Sequence, residues 1–374
     1  MKKLLPEVCT IQYGFPFDSA KFSDSNGMPL IRIRDVVRGY SETYTTEEYK
    51  SEYIVHENDL LIGMDGEFNI AKWGKTPALL NQRVCRLAPN DSIDKDYLFY
   101  FMPIALKRIE EKTPFVTVKH LSAKELNKIE IPILPLEEQR KIAETLSKVD
   151  ELIAFRDRQL AKLDELVKAR FVEMFGDEQA FNKEPLSQNV EEMFIGPFGS
   201  SLKNENFVSK ENGYCMVYEQ KHAIRKTMDV ETRYIDKPKY EELKRFSIHG
   251  GDIIVSCRGT IGETYIVPLN APLGIMHPSI MKIRVKDSIY NRVFFDFLLQ
   301  EKLKQHEAQA NGSGVKMAVT ASALGKEEFI VPSIPFQNQF AAFVERVDQQ
   351  KQTVQQSLEK LELMKKALMQ EYFG

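Results

Sequence analysis

No stretch of the chain approaches the run of about eighteen apolar residues that a membrane-spanning helix needs. Its opening, Met-Lys-Lys-Leu-Leu-Pro, also lacks the apolar core of a signal peptide. Cysteine is scarce: Cys9, Cys85, Cys215 and Cys257 lie far apart with no CxxC pair. That spacing argues against a disulfide framework or a zinc site, and for a cytoplasmic chain with free thiols. Neither charge is in excess, with 51 basic against 54 acidic residues and a net charge of -3. A protein touching many phosphates is usually more basic. Nucleic-acid binding would therefore need charges segregated by face, or a partner that supplies backbone affinity. Catalytic signatures are missing too: there is no GxxxxGK[ST] phosphate loop, no HExxH and no GxSxG elbow. The FxGxG-type loop and Asn-Pro-Pro-Tyr-type motif of an adenine methyltransferase are likewise absent. His56, His120, His222, His249, His277 and His306 show no metal-ligand spacing. Gly259 and Gly262 make a GxxG, which in a hairpin reads as a turn. What remains is an ordinary soluble composition, 43% hydrophobic and 28% charged over 374 residues, enough for two or three domains.

What the chain does contain is a long heptad pattern, written twice. Across residues 135–176 the a/d ladder reads Leu146, Val149, Ile153, Leu160, Leu163, Val167 and Met174. Across residues 337–374 it reads Val344, Val347, Val354, Leu358, Leu361, Leu368 and Tyr372. Such sustained heptads predict a coiled coil. A shift of 198 lays Val149 on Val347, Leu160 on Leu358 and Phe175-Gly176 on Phe373-Gly374. The approach matches at a shift of 200, with Ile131-Pro132 and Pro135 answering Val331-Pro332 and Pro335, so the second turn reads as two residues shorter. Arg156 and Arg170 interrupt one seam at d, and Lys351 and Lys365 the other at a. Polar seam residues cost stability but fix register and partner. A rod of about 57 Å needs a partner for its apolar stripe, and the other copy is the obvious one.

The repeat extends upstream of the helices. The turn at residues 13–22 (YGFPFDSAKF) has its counterpart at 195–203 (IGPFGSSLK). Residues 30–36 (LIRIRDV) alternate like a half-exposed strand with Arg32 and Arg34 on one face. Apolar strands ending in glycine loops follow at 58–67 and 251–260, each with a partner strand, at 69–73 and 263–267. Residues 83–87 match 280–285, and aromatic-rich helices are predicted at 97–111 and 290–309. Polar turns lead on through 117–120 and 311–316, and Ser122 to Glu125 forms a capping box. Each half reads as a mixed α/β (α+β) domain closed by one long helix. Boundaries fall at 1–134, 135–178, 179–334 and 335–374, where prolines and a polar Gly-Asp-Glu linker interrupt the pattern. A tandem module on a helical spacer suits a reader of divided targets, with half-site spacing set by the spacer.

At this point the chain resembles the specificity subunit of type I restriction-modification enzymes along nearly its whole length. The resemblance is carried by PLEEQ at 135–139, FQNQF at 336–340, GFPFDSAKF at 14–22, LLIGMDGEF at 60–68 and NQRVCRL at 81–87. It implies two target-recognition domains related by a pseudo-two-fold axis, inverted in space, and joined by long helices in an antiparallel coiled coil. It further implies double-stranded DNA with a bipartite asymmetric site as ligand, and two modification (methyltransferase) subunits docked on the spacer. Restriction (motor-nuclease) subunits would add to that core. No cofactor is expected on this chain; S-adenosylmethionine, ATP and magnesium would belong to the partners. A non-catalytic, partner-dependent subunit accounts together for the balanced charge and the missing catalytic motifs. The competing readings are a stand-alone DNA methyltransferase or nuclease with unrecognised motifs, and a coiled-coil adaptor with no role on DNA.

Base contacts are expected from polar loop tips. In the first domain the candidates are Ser19, Lys21, Asp65, Glu67, Asn69 and Lys119; in the second, Ser200, Ser201, Lys203, Arg258, Thr260 and Lys316. Phe15, Phe17 and Phe198 are expected to pack turns, and Trp73, the one tryptophan, to sit in the core. The seam residues Leu146, Val149, Ile153, Leu160, Leu163, Val347, Val354, Leu358, Leu361 and Leu368 are structural. The outward charges Glu137, Glu138, Arg140 and Lys141 are candidates for docking the modification subunits.

Overall fold

The computed structural model describes residues 1–112, 119–313 and 320–374. It divides into two compact units, one of Met1–Gln159 with Val354–Gly374, the other of Leu160–Thr353.

In the first unit a four-stranded antiparallel sheet runs in the order Cys9–Tyr13, Val84–Pro89, Leu60–Gly63, Asn69–Lys72. The strand Leu60–Gly63 is buried on both faces, which explains its unbroken apolar run. Leu60 and Ile62 enter the core formed with the helix Lys95–Lys112. Leu61 points to a separate core around Trp73, Leu80 and Val36. Trp73 is indeed buried, its indole N–H donating to the Thr76 carbonyl at 2.7 Å. A second, five-stranded sheet carries the parallel neighbours Met28–Ile31 and Ala78–Leu80.

The second unit repeats this plan. Its four-stranded sheet runs Val190–Ile195, Ile280–Val285, Ile253–Ser256, Thr264–Ile266. Ile253 and Val255 face the core under the helix Arg292–Ser313, while Ile254 faces another around Tyr218 and Met276. Cys215–Tyr218 and Gly274–Met276 are its parallel pair.

Two expectations are corrected. Residues 30–36 do not continue as a strand: the strand ends at Ile31 and a helix, Ile33–Arg38, begins. The Asp35 carboxylate accepts the Arg32 backbone N–H at 2.8 Å, and Gly39, at φ 75, closes the helix left-handed. A capping carboxylate three residues in and a glycine stop outweigh a short alternation. Likewise, the second approach turn is not shortened. The strands Glu130–Pro132 and Glu328–Ile330 and the helix starts Leu136 and Ile334 all keep the shift of 198. The alignment of prolines at 200 follows residue type and not backbone position.

The long helices, Leu136–Phe175 and Ile334–Phe373, have 40 residues each, or about 60 Å. Every seam residue named from the heptads is buried or half-buried. Within the second unit Asp164 pairs with Lys351, Arg170 lies over Phe343, Phe171 meets Phe340 and Phe175 meets Phe336. Numbers rising on one helix meet numbers falling on the other, so this segment of the pair is antiparallel. Within the first unit Asp150 pairs with Lys365 at 2.5 Å and Leu146 shares a core with Leu368 and Phe373. The lysines that interrupt the seam are thus each met by an aspartate of the facing helix.

Candidate nucleic-acid interface

In each unit one edge that carries candidate residues is built from one turn and one loop, and the two units match in these bonds. In the first, Val84 N–H donates to Asn81 O at 3.2 Å, closing a β-turn, and Gly14 N–H donates to Val84 O at 3.0 Å. In the second, Ile280 N–H donates to His277 O at 3.2 Å and Gly196 N–H to Ile280 O at 2.9 Å. The neighbouring loop is tied to the turn by Met64 N–H to Arg83 O at 2.9 Å, and by Cys257 N–H to Ser279 O at 2.8 Å. Gly66 and Gly259, at φ 77 and 66, shape the loop tips where glycine is favoured. These bonds place Asp65 opposite Arg258, and Arg83 opposite Ser279, in the two copies.

At the first unit's edge, the His120 ring nitrogen Nδ1 lies 2.5 Å from Asp65 Oδ1. Arg83 Nη1 lies 3.1 Å from His120 Nδ1, and Arg83 Nε lies 3.6 Å from Asp65 Oδ2. Arg83 adopts φ 70, a left-handed conformation that costs a residue with a side chain about 1–2 kcal/mol. At the second unit's edge His277 Nδ1 is 2.7 Å from Ser279 Oγ, and burial lowers the His277 pKa. Nearby, the mostly buried Glu219 carboxylate is paired with Arg233 and Lys221 and its pKa falls below the usual carboxylate range. Although burial alone would raise it, the bonds from Arg233 and Lys221 together prevail. Arg233 also stacks on Phe207, 4.0 Å from the ring centroid.

The predicted residues divide accordingly. Ser19 and Lys21 lie exposed on the turn Ser19–Lys21, after Asp18, which caps it by accepting the Ala20 N–H. Ser200, Lys203, Arg258 and Thr260 are exposed and Ser201 half-buried. Asp65 faces Arg83 and His120, as above. Glu67 is exposed, whereas Asn69 folds back, donating to the Glu67 carbonyl at 3.2 Å. Lys119 is drawn onto the helix at Glu110, donating to its carbonyl at 2.9 Å. Lys316 lies outside the described residues. Phe17 is buried as expected, and Phe15 rests edge-on against it at 5.0 Å. Phe198 is 86% exposed and packs no turn: it stands just before the turn Gly199–Ser201, the place Asp18 holds in the first unit, and Pro197 is buried where Phe17 is. The helical charges behave as a solvated face, with Lys141 paired to Glu137 at 2.9 Å.

Sequence reasoning missed Arg83, His120, His277, Ser279 and the Glu219–Arg233 pair. The signal available was the alignment of NQRV with HPSI in residues 81–84 and 277–280, one position off the match drawn above. Among the described residues no cluster of three or more His, Cys, Asp and Glu could hold a metal. Among them, too, no helix is long and apolar enough to cross a membrane.

Comparison with known proteins gives one consistent result. The profile of the type I restriction modification DNA specificity domain matches residues 1–165 and 200–363. The specificity subunit of the type I restriction enzyme EcoBI of Escherichia coli is 42% identical over 164 residues, which is 43% of this chain and 34% of that subunit. The MjaVIII specificity subunit of Methanocaldococcus jannaschii is 22% identical over 91% of this chain and 87% of its own length. The crystal structure of a type I restriction-modification S subunit from M. genitalium shares the fold, with a TM-score of 0.57 at 16% identity, covering 100% of this chain and 96% of that one. Matched over both of its repeated halves, the chain belongs to the family of type I restriction-modification DNA specificity domains.

Proposed function

We propose that this chain is the DNA-recognition subunit of a type I restriction-modification complex, in which residues 1–134 and 179–334 each read one half of a bipartite, asymmetric duplex site. The helical segments 135–178 and 335–374 carry the two readers and the partner subunits. The observation that carries this reading is the matched turn-and-loop edge. Two copies of one backbone present different side chains at equivalent positions, Asp65 and Arg83 in one, Arg258 and Ser279 in the other. Different hydrogen-bonding groups on one frame select different base edges, which suits a site whose halves differ.

On this reading the chain is cytoplasmic and not itself catalytic. Two modification subunits bring S-adenosylmethionine, and restriction subunits bring ATP and magnesium. Docking would use the long helices, where Leu152, Phe155, Leu363 and Met364 are exposed and where Glu137, Glu138, Arg140 and Lys141 form a charged face nearer the start of the first helix. Apolar side chains of that size left in solvent favour a protein partner.

The test uses the complex with modification subunits and duplex DNA at several salt concentrations. Lys21→Ala should weaken binding without unfolding the chain. Arg258→Ala should weaken binding without unfolding the chain. Affinity unchanged for both at moderate salt would count against these loops as the DNA surface.

A further inference from the structure

Arg83 is poorly explained by the fold. It occupies the third position of the turn at residues 81–84 with φ 70. Glycine or asparagine takes that position without strain. Its carbonyl bonds the Met64 N–H, a role any residue's backbone can play. The side chain is 52% exposed and joins none of the apolar cores. Its contacts with Asp65 and His120 are partly solvated, and such pairs contribute little to stability. A strained backbone, kept without a folding benefit, marks a position held for another purpose.

The geometry shows what is being held. Asp65 approaches the guanidinium at Nε and His120 at Nη1. Asp65 in turn is fixed by His120, and the strand bridge between Asp65 and His120 aligns both. Two side chains therefore flank the fork, on a side chain that is half exposed near the exposed Glu67. A pre-oriented guanidinium loses less freedom on binding and offers two parallel donors. That is the chemistry that recognises the O6 and N7 acceptors of guanine in the major groove.

Resting on the DNA-recognition reading above, we infer that Arg83 is a base-reading, specificity-determining residue of the first unit, with Asp65 and His120 as its positioning residues. Asp65 then acts through Arg83, whose guanidinium it meets at Nε. In the second unit the same two positions carry Arg258 on the loop and Ser279 on the turn, so the arginine has moved to the loop and the half-target read there differs.

The test selects duplexes from a random-sequence pool with the complex of this chain and its modification subunits, then sequences them. The wild type should yield two preferred blocks separated by a gap. Arg83→Gly suits the left-handed turn and should keep or raise the melting temperature. It should relax one G·C position in one block by about 5- to 150-fold, leaving the other block intact. Arg83→Lys keeps the charge without the fork and should relax the same position, while Arg258→Ala should alter the opposite block. Asp65→Asn should relax the Arg83 position without creating a new preference. Unchanged blocks in Arg83→Gly and Arg83→Lys overturn the inference. So does a fall in melting temperature with Arg83→Gly while Arg83→Lys reads the wild-type blocks, which would make Arg83 a structural residue. A wild-type complex that selects no sequence would instead overturn the DNA-recognition reading itself.

Discussion

At the scale of single residues, the PLEEQ and FQNQF runs have a structural explanation in one glutamine each. Gln139 and Gln337 are fully buried at the start of the long helices. Gln139 accepts the Asp94 N–H at 2.8 Å and donates to Leu134 O at 2.8 Å; Gln337 accepts the Asn291 N–H at 2.8 Å and donates to Pro332 O at 2.7 Å. Each ties a long helix to the N-terminal end of the aromatic helix beside it. Gln139→Ala would leave a buried N–H and carbonyl unpaired, at about 2 kcal/mol. The expected fall in melting temperature is about 4–8 °C, read by thermal denaturation. Asp296 makes the opposite case. Its carboxyl is buried against Gln300 and Lys226, and burial raises its pKa above the usual carboxylate range. A raised folded pKa means full stability below about pH 3.9, the ordinary carboxylate value, and progressive loss as pH rises through the folded value. Asp296→Asn should therefore be more stable than the wild type at pH 8, with the difference shrinking towards pH 4 in a melting series. His222 titrates in the other sense. Burial lowers its pKa, so its contribution is intact above about pH 6.5 and lost on acidification. Of these roles the sequence showed the motif around Gln139 but not its bonds, since Asp94 and Leu134 are brought to it by the packing of the domain.

At the scale of elements, heptad spacing was enough to locate both long helices and their buried stripes. What it could not supply was which residues meet. The lysines at a positions are matched by Asp150 and Asp164, which lie off the apolar ladder, at 2.5 Å in both pairs. Partly exposed pairs of this kind contribute at most about 1 kcal/mol each. Asp150→Ala alone should therefore change stability little. Asp150→Lys sets like charges together and should cost more, and adding Lys365→Asp should recover most of that loss. A double-mutant cycle by denaturant titration measures it; no recovery would mean the two helices meet in another register. The helix Ile33–Arg38 is the element the sequence hid. Its six residues are too few for a helical period to show against an alternating apolar pattern, and its stop at Gly39 depends on a bond to the Asp35 carbonyl.

At the scale of the whole molecule, both long helices are shared by the two units, with the division falling after Gln159 in one and after Thr353 in the other. Under the proposed function this makes the helices the ruler for the gap between half-sites. Inserting one heptad, about 10 Å of helix, should change the gap preferred in a duplex selection; an unchanged gap would remove the helices from that role. The duplication, the length of the helices, the strands buried on both faces and the balanced charge were all determined by the sequence alone, because periodicity and burial are local properties of residue type. The tertiary structure alone decided that Arg83, Asp65 and His120 meet, that Arg83 answers to Ser279, and that the repeat keeps its shift of 198 through the approach strands. Those facts depend on strand pairing between distant segments, and pairing fixes backbone positions that a comparison of residue types cannot see.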